Sequence, residues 1–180
     1  YAGALGASLG AMVANLSAGK RGWEEQTAYF SQVAVQCQNI KDGLLRLVDA
    51  DTRAFDGIMQ AFALPKATDE EKKARSAAIQ AATKVAIETP LQSMRLANES
   101  FEPLAAMIDK GNPNSITDAG VGVLCARTAV YAAWLNVKVN LGGLKDEAYK
   151  NDALAEADAL LAQAIEKEKS LIEKVNAALK

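Results

Sequence analysis

Asp51 is the carboxylate whose place in the sequence most suggests chemistry. It follows Val48 by three residues and precedes Phe55 by four, and in a helix this spacing puts all three on one apolar face. A carboxylate there loses hydration, so it must either pair with a cation or become easier to protonate. Two interpretations stay open: an acid–base group, or a buried ion pair that holds helices in register. Asp49 and Asp56 lie off this face and are expected to be solvated.

The absence of histidine narrows the possible chemistry further. The 180 residues contain no His, which removes the most common metal ligand and neutral-pH acid–base group. Histidine-ligated zinc hydrolysis and a Ser-His-Asp mechanism are therefore excluded, and no metal site is expected. Cys37 and Cys125 lie among apolar residues without metal-spaced neighbours, which indicates buried thiols and favours a reducing cytoplasm.

A second polar feature is the segment from Gly111 to Gly122, which is rich in glycine, asparagine and serine. Ser115 could cap a helix with Asp118 in its first turn, which is a sufficient structural explanation. Alternatively, the free N–H groups of this helix start could bind an anionic or carbonyl-rich ligand. Gly120 and Gly122 lower helix stability, so some neighbour or ligand should need the space.

The segments that carry these residues are predicted to be helical throughout. Alanine accounts for 36 residues, and glycine and proline are confined to a few sites. A first helix places bulky side chains on one face and a bare face on another, formed by Gly3, Ala7, Gly10 and Ala14. This face predicts either close helix packing or a surface for a ligand. The stretch Ala2–Leu16 is too short to span a membrane.

Further helices are predicted from Trp23 to Ala63, from Thr68 onward with a kink or break at Pro90 and Pro103, from Ser115 to a Gly142-Gly143 stop, and from Asp146 to Leu179. In the fourth helix, the residues expected to point inward are Val121, Leu124, Thr128, Leu135 and Val139. The prediction is a single all-α domain over residues 1–180, a bundle of about five long helices. A 40-residue helix would be ~60 Å long, so its surplus length predicts an oligomer, with a kinked monomer as the alternative.

The overall charge argues against a nucleic-acid partner. Twenty Lys and Arg face 22 Asp and Glu, for a net charge of −2 without a basic run. The chain also opens without Met inside a helical pattern, so a piece of a longer protein is expected.

Four blocks of sequence resemble the cyclodeaminase/cyclohydrolase family of folate enzymes. They are residues 2–16, residues 48–55, Leu64-Pro65-Lys66, and residues 111–122 followed by 135–141. They cover nearly the whole chain in the family's order. Lys138 stands where arginine is common, which keeps the charge but loses the bidentate fork. The family's Gly-Gly-Gly-Ser turn would lie before Tyr1.

The resemblance implies a dimer-building, all-helical enzyme that needs no cofactor beyond its tetrahydrofolate substrate, with or without additional glutamates. The expected reaction is conversion of 5-formimidoyltetrahydrofolate to 5,10-methenyltetrahydrofolate with loss of ammonia. Asp51 would be the acid–base group, Asp118 a second carboxylate and Lys66 a charge-neutralising or leaving-group residue. The expected substrate-binding residues are Asn112, Asn114, Ser115, Gly120, Lys138, Gly6 and Gly10.

Two alternatives remain open at the level of sequence. One is the family's other reaction, in which water opens 5,10-methenyltetrahydrofolate to the 10-formyl form. The other is a helical oligomerisation domain without chemistry. A formiminotransferase domain, fused or separate, is a further expected partner.

Overall fold

The computed structural model describes residues 1–179, and within that range it contains six α-helices and no β-strand. Five helices are long and one is short, as the bundle prediction required. Their bounds are α1 Ala2–Ala18, α2 Thr27–Ala63, α3 Asp69–Glu99, α4 Phe101–Lys110, α5 Ile116–Leu141 and α6 Glu147–Ala178. Short 3₁₀ turns at Glu24–Gln26 and Pro113–Ser115 precede α2 and α5.

The helices begin and end where local chemistry requires it. Leu64 is extended before Pro65 and ends α2. Thr68 and Glu71 form a complete capping box at the start of α3, with Glu71 N donating to Thr68 Oγ1 at 3.2 Å and Thr68 N donating to Glu71 Oε2 at 3.0 Å. Of the two prolines at which a kink or break was expected, Pro90 lies inside α3 and Pro103 lies in the first turn of α4, where no helical N–H is needed.

Helix α5 lies at the centre of the bundle and packs against α1, α3, α4 and α6, while α2 packs against α1 and α3. Small residues make these contacts close. A Cβ on Gly6 would lie 2.7 Å from the carbonyl oxygen of Gly122, and a Cβ on Gly10 would lie 2.9 Å from Cys37 Sγ. The bare face of α1 is therefore a helix-packing surface along most of its length.

The direction predicted for the bulky residues was wrong in α1 and α5. Leu5, Met12 and Leu16 are exposed, whereas the Gly and Ala positions of α1 are buried. All five residues predicted to point inward in α5 are exposed; the buried ones are Ala119, Gly120, Gly122, Val123, Ala126, Val130, Val137 and Leu141. Close backbone approach outweighs the hydrophobic gain of larger side chains at these interfaces, because small residues let more of the two helices touch.

Two of the helices have further notable features. Helix α2 has 37 residues, about 55 Å of helix, and its second half exposes Phe55, Met59 and Phe62. The stretch Pro113–Leu141 is apolar and long enough to cross a membrane by length and composition. Its buried face nevertheless meets four other helices, and it carries Asp118, Arg127 and Lys138.

Candidate active site

Asp51 lines a cleft of about 420 Å³ that is bounded by the start of α1, the middle of α2, and parts of α3 and α5. We call this the Asp51 cleft. Asp51 and Asn136 also line a smaller cavity of about 90 Å³, so the two residues border both cavities. The volume of the larger cleft lies within the range usual for small-molecule sites.

Asp51 is exposed at this cleft, so the prediction that it would be buried among apolar residues was wrong. The reason lies in its neighbours. Phe55, one turn further along α2, is 60% exposed, so the apolar face of α2 leaves the core at this point. No salt bridge or side-chain hydrogen bond occupies Asp51 within residues 1–179, which also contradicts the ion-pair interpretation. Its carboxylate is free to accept a proton or a hydrogen bond from a ligand.

The walls of the Asp51 cleft are mostly small and apolar. Helix α5 contributes Ala129, Ala132 and Ala133, and α1 contributes Gly3 and Ala4. These side chains leave flat surfaces on which a planar ring can lie. Most of the other polar groups are engaged within their own helices: Thr52 Oγ1 donates to the Val48 carbonyl, and Ser93 Oγ donates to the Thr89 carbonyl.

Asn136 is the polar partner of Asp51 in the cleft, and its orientation is held by Asn140. Asn140 Nδ2 donates to Asn136 Oδ1 at 3.1 Å and to the carbonyl oxygen of Ala86 at 2.9 Å. With its oxygen engaged, Asn136 presents its amide N–H groups to the cleft. Neither asparagine was predicted to be a site residue, although two asparagines four residues apart on one face of an apolar helix indicate a possible hydrogen-bonded pair.

The origin of the Ala86 contact is Pro90. A proline inside a helix has no N–H to donate to the carbonyl four residues earlier, which here belongs to Ala86. Asn140 supplies the missing donor from α5, and the same amide then fixes Asn136. Asn140 therefore connects the carbonyl that Pro90 leaves free to the side chain of Asn136, which lines the Asp51 cleft.

Asp118 and the asparagine-rich turn lie elsewhere, which corrects the prediction that they join Asp51 in one site. Asp118 is 18 residues before Asn136 on α5, or about 27 Å along the helix. Asn112 Oδ1 accepts from Asn114 N at 3.2 Å, and Asn112 N donates to Ser17 Oγ at 2.8 Å. The turn is thus explained by its own hydrogen bonds. Ser115 is buried at the start of α5 but makes no side-chain capping bond.

The remaining expected site residues are also outside the Asp51 cleft. Gly6, Gly10 and Gly120 are buried against neighbouring helices, with Gly120 in contact with Val175, so they leave no space for a ligand. Lys138 is exposed and its Nζ lies 5.0 Å from the centre of the Trp134 ring. Lys66 lies in a separate pocket at the end of α2.

The cysteines are packing residues. Cys37 is fully buried, and burial raises the pKa of its thiol to about 11. Burial also raises the pKa of Cys125, which is half-buried. Both thiols are therefore protonated near neutral pH and are poor nucleophiles. Across residues 1–179, no group of three or more acidic or thiol side chains is placed to hold a metal ion.

Comparison with known proteins supplies context for this geometry. Residues 1–159 match the family model described as formiminotransferase-cyclodeaminase. A methenyltetrahydrofolate cyclohydrolase of Methylorubrum extorquens is 43% identical over 162 residues, which are 90% of this chain and 78% of that protein. A formimidoyltransferase-cyclodeaminase of Gallus gallus is 36% identical over 91% of this chain, but the match spans only 30% of the relative. The crystal structure of a formiminotetrahydrofolate cyclodeaminase from Thermotoga maritima shares the fold, with a TM-score of 0.86 at 22% identity over 99% of this chain and 85% of that one.

Proposed function

Because the chain belongs to the formiminotransferase-cyclodeaminase family, we propose that it opens and closes the one-carbon bridge between N5 and N10 of a reduced folate in the Asp51 cleft. The observation that carries this proposal is the pairing of a free carboxylate, Asp51, with a positioned amide, Asn136, across a cleft with flat apolar walls. The pteridine ring would lie on the alanine surface of α5.

As the specific reaction we propose the hydrolysis of 5,10-methenyltetrahydrofolate. It is favoured by the 43% identical cyclohydrolase, of which this chain covers 78%. Water forms a bond to the methenyl carbon and gives one proton to Asp51. Asn136 donates to the oxygen as negative charge develops on it. The second proton then passes to N5 as the carbon–N5 bond breaks, leaving the formyl group on N10.

The cyclodeaminase reaction is the second candidate, supported by the family description and by the relative from Gallus gallus. Here N10 attacks the carbon of the protonated formimidoyl group, –CH=NH2+, and the carbon–N10 bond forms. Asp51 would take the proton from N10 and deliver it to the –NH2 group, so that the bond from carbon to this nitrogen breaks, ammonia leaves and the methenyl cation remains. The two reactions share the cleft and the groups, and differ in whether water or N10 attacks.

One absorbance experiment distinguishes these reactions, because methenyltetrahydrofolate absorbs strongly in the near ultraviolet. Loss of this absorbance faster than in buffer or with an Asp51→Asn variant supports the hydrolase. Growth of absorbance from 5-formimidoyltetrahydrofolate, with one ammonia released per turnover, supports the cyclodeaminase. Turnover of neither substrate by the folded protein would contradict the proposal and favour a role without chemistry.

We further propose that the protein self-associates through the exposed faces of α1 and α5. These neighbouring helices present an apolar surface made by Leu5, Met12, Leu16, Val121, Leu124, Leu135 and Val139. Isolated monomers rarely expose so many large apolar side chains together, and a second copy would cover them with the same surface. Light scattering on wild type and a Leu124→Glu variant tests this, with a dimer expected only for wild type. The cytoplasmic location and a formiminotransferase partner stay predictions from sequence.

A further inference from the structure

Two aliphatic hydroxyl groups line the Asp51 cleft in addition to the carboxylate and the amide. They belong to Thr52 on α2 and Ser93 on α3. Thr52 Oγ1 donates its proton to the Val48 carbonyl at 3.3 Å. Ser93 Oγ donates its proton to the Thr89 carbonyl at 3.2 Å. With the proton engaged in this way, only the lone pairs of each oxygen remain, so both hydroxyls are hydrogen-bond acceptors for a molecule in the cleft.

A water molecule that attacks a carbon in this cleft is oriented best by two acceptors. Each acceptor binds one hydrogen of the water, which leaves an oxygen lone pair to form the bond to carbon. Asp51 is the first acceptor. Asn136 is not suited to be the second, because its Oδ1 already accepts from Asn140 and its N–H groups face the cleft. The carbonyl that Pro90 leaves free is also engaged by Asn140, so a hydroxyl is the remaining acceptor among the described side chains of the cleft.

Ser93 is better placed than the other hydroxyls to be that acceptor. Thr52 follows Asp51 directly on α2, so its side chain points about 100° away around the helix, and it is exposed to bulk water. Tyr1, whose hydroxyl is the third at this cleft, is 83% exposed. Ser93 is half-buried and lies on α3, which packs beside α2. It therefore faces the cleft from a different helix than Asp51, so the two groups can bind the two hydrogens of one water molecule.

The orientation of Ser93 is fixed by α3 itself. Its bond to the Thr89 carbonyl, one turn earlier, holds the hydroxyl in one rotamer. Pro90 lies between these two residues and also lines the cleft. Because Pro90 leaves a carbonyl for Asn140 to bind, it also determines where Asn136 stands. The same turn of α3 thus positions both the amide donor and the hydroxyl acceptor.

We propose that Ser93 is a positioning residue for the water that opens the one-carbon bridge, its Oγ accepting one hydrogen while Asp51 accepts the other. The inference rests on the proposed function, because it takes the methenyl carbon to lie between Asp51 and Asn136. The water oxygen forms its bond to the methenyl carbon and one proton passes to Asp51. The other proton stays on the new hydroxyl group, bonded to Ser93, until it passes to N5 as the carbon–N5 bond breaks. Ser93 itself neither gains nor loses a proton.

This role makes Ser93 a residue that favours hydrolysis over loss of ammonia. In the cyclodeaminase reaction N10 is the attacking atom and no water takes part. A serine that holds water therefore contributes to one of the two reactions and not to the other. Asp51, by contrast, moves a proton in both, so the two residues should respond differently when each is replaced.

The test measures hydrolysis of 5,10-methenyltetrahydrofolate by the loss of its near-ultraviolet absorbance. In Ser93→Ala, kcat is expected to fall about two- to tenfold, the size of one lost hydrogen bond, while KM stays close to the wild-type value. Ser93→Thr keeps a hydroxyl that can bond to the carbonyl four residues earlier, so it should recover most of the wild-type kcat. Ser8→Ala is the matched control and should keep wild-type kcat. Ser8 is also half-buried and donates to a carbonyl of its own helix, at 2.7 Å, but it lies outside the cleft.

A binding arm separates failure of this inference from failure of the proposed reaction. 5-Formyltetrahydrofolate, which has no methenyl carbon to hydrolyse, is titrated into wild type and Ser93→Ala. Equal binding by both proteins, together with the lower kcat of the variant, supports the positioning role. Wild-type kcat in folded Ser93→Ala, no recovery in Ser93→Thr, or an equal fall in turnover of 5-formimidoyltetrahydrofolate would overturn the inference alone. Turnover of 5-formimidoyltetrahydrofolate but not of the methenyl compound by wild type would also overturn it alone, whereas absence of folate binding by wild type would overturn the proposed function as well.

Discussion

The side-chain amide of Asn140 donates to the carbonyl oxygen of Ala86 at 2.9 Å, the carbonyl that Pro90 leaves without a helical donor. The same amide holds Asn136 in the Asp51 cleft. An Asn140→Leu variant should therefore lose about 1–3 kcal/mol of unfolding free energy, because the buried carbonyl loses its partner. Its kcat should also fall, because Asn136 is no longer oriented.

Adding Pro90→Ala to Asn140→Leu separates these two effects. Alanine restores the N–H at position 90, so the double variant should recover most of the stability measured by urea unfolding. Its kcat should remain low, since Asn136 is still unsupported. Recovery of both stability and kcat would contradict a positioning role for Asn140 and leave it purely structural.

Asp51→Asn should lower kcat by roughly 10²–10⁴, the range typical of a lost acid–base group. The unfolding midpoint should change little, because the side chain is exposed and makes no hydrogen bond within residues 1–179. Asp49→Asn is the matched control: it changes the same charge two residues away on α2, outside the cleft, and should keep wild-type kcat. Near-normal turnover by folded Asp51→Asn would remove this residue from the mechanism.

Asp118→Asn should have little effect on turnover, because about 27 Å of helix separates Asp118 from Asn136. A modest stability loss, up to about 1 kcal/mol, is expected from removing a negative charge at the start of α5. Thermal unfolding and kcat measured on one preparation check both statements. A hundredfold loss of kcat would show that the start of α5 does take part in the site.

Gly6→Ala should destabilise the protein by about 1–3 kcal/mol, because the new Cβ would lie 2.7 Å from the Gly122 carbonyl oxygen. Gly57→Ala on α2 provides the opposite case. A Cβ there meets nothing within 4 Å, so alanine should raise stability by about 0.5–1 kcal/mol through its higher helix propensity. Urea unfolding of the two variants should move in opposite directions, and a shift in the same direction would refute the close-packing explanation.

Arg95 joins α3 to α6 through Glu156, with Nε–Oε1 and Nη2–Oε2 contacts of 2.6 and 2.8 Å. The hydrogen bonds from Arg95 lower the pKa of Glu156 below its usual value of 4.5. Since the native pKa lies below the unfolded one, the ionised carboxylate stabilises the fold above pH 4.5, and this contribution disappears as pH falls through the native pKa. Glu156→Gln should cost up to about 1 kcal/mol at pH 7 and much less near pH 2. Equal losses at both pH values would contradict the ionic origin.

Helix boundaries followed from local chemistry and were predicted closely. The Thr68–Glu71 capping box, the stop before Pro65 and the start at Asp146 depend on residues a few positions apart. Which face of α5 is buried depends on the helices that pack against it, so the pattern Val121, Leu124, Leu135 was taken as a core face and is a surface. In a chain with so much alanine, the small residues mark the interior.

The residues that line the Asp51 cleft were predicted only in part. Asp51 does line it, although the argument that its side chain would be buried was wrong. Asp118 was grouped with Asp51 on the family resemblance, and the sequence does not show where the start of α5 lies relative to the middle of α2. Asn136 and Asn140 were not among the predicted site residues, whereas Lys138 on the same helix was. The bond from Asn140 to the Ala86 carbonyl joins α5 to α3, and the sequence does not show which residues of two separate helices meet.

Helix α2 runs without interruption from Thr27 to Ala63. It therefore fixes both the distance and the angle between any two of its side chains. Deleting a single residue between Thr52 and Phe62 would turn everything beyond the cut by about 100° and shift it by about 1.5 Å. A ligand that contacts α2 on both sides of the deletion would then find one of its two contact residues facing away. Length changes in this interval should accordingly be far more damaging than substitutions, which leave the spacing intact.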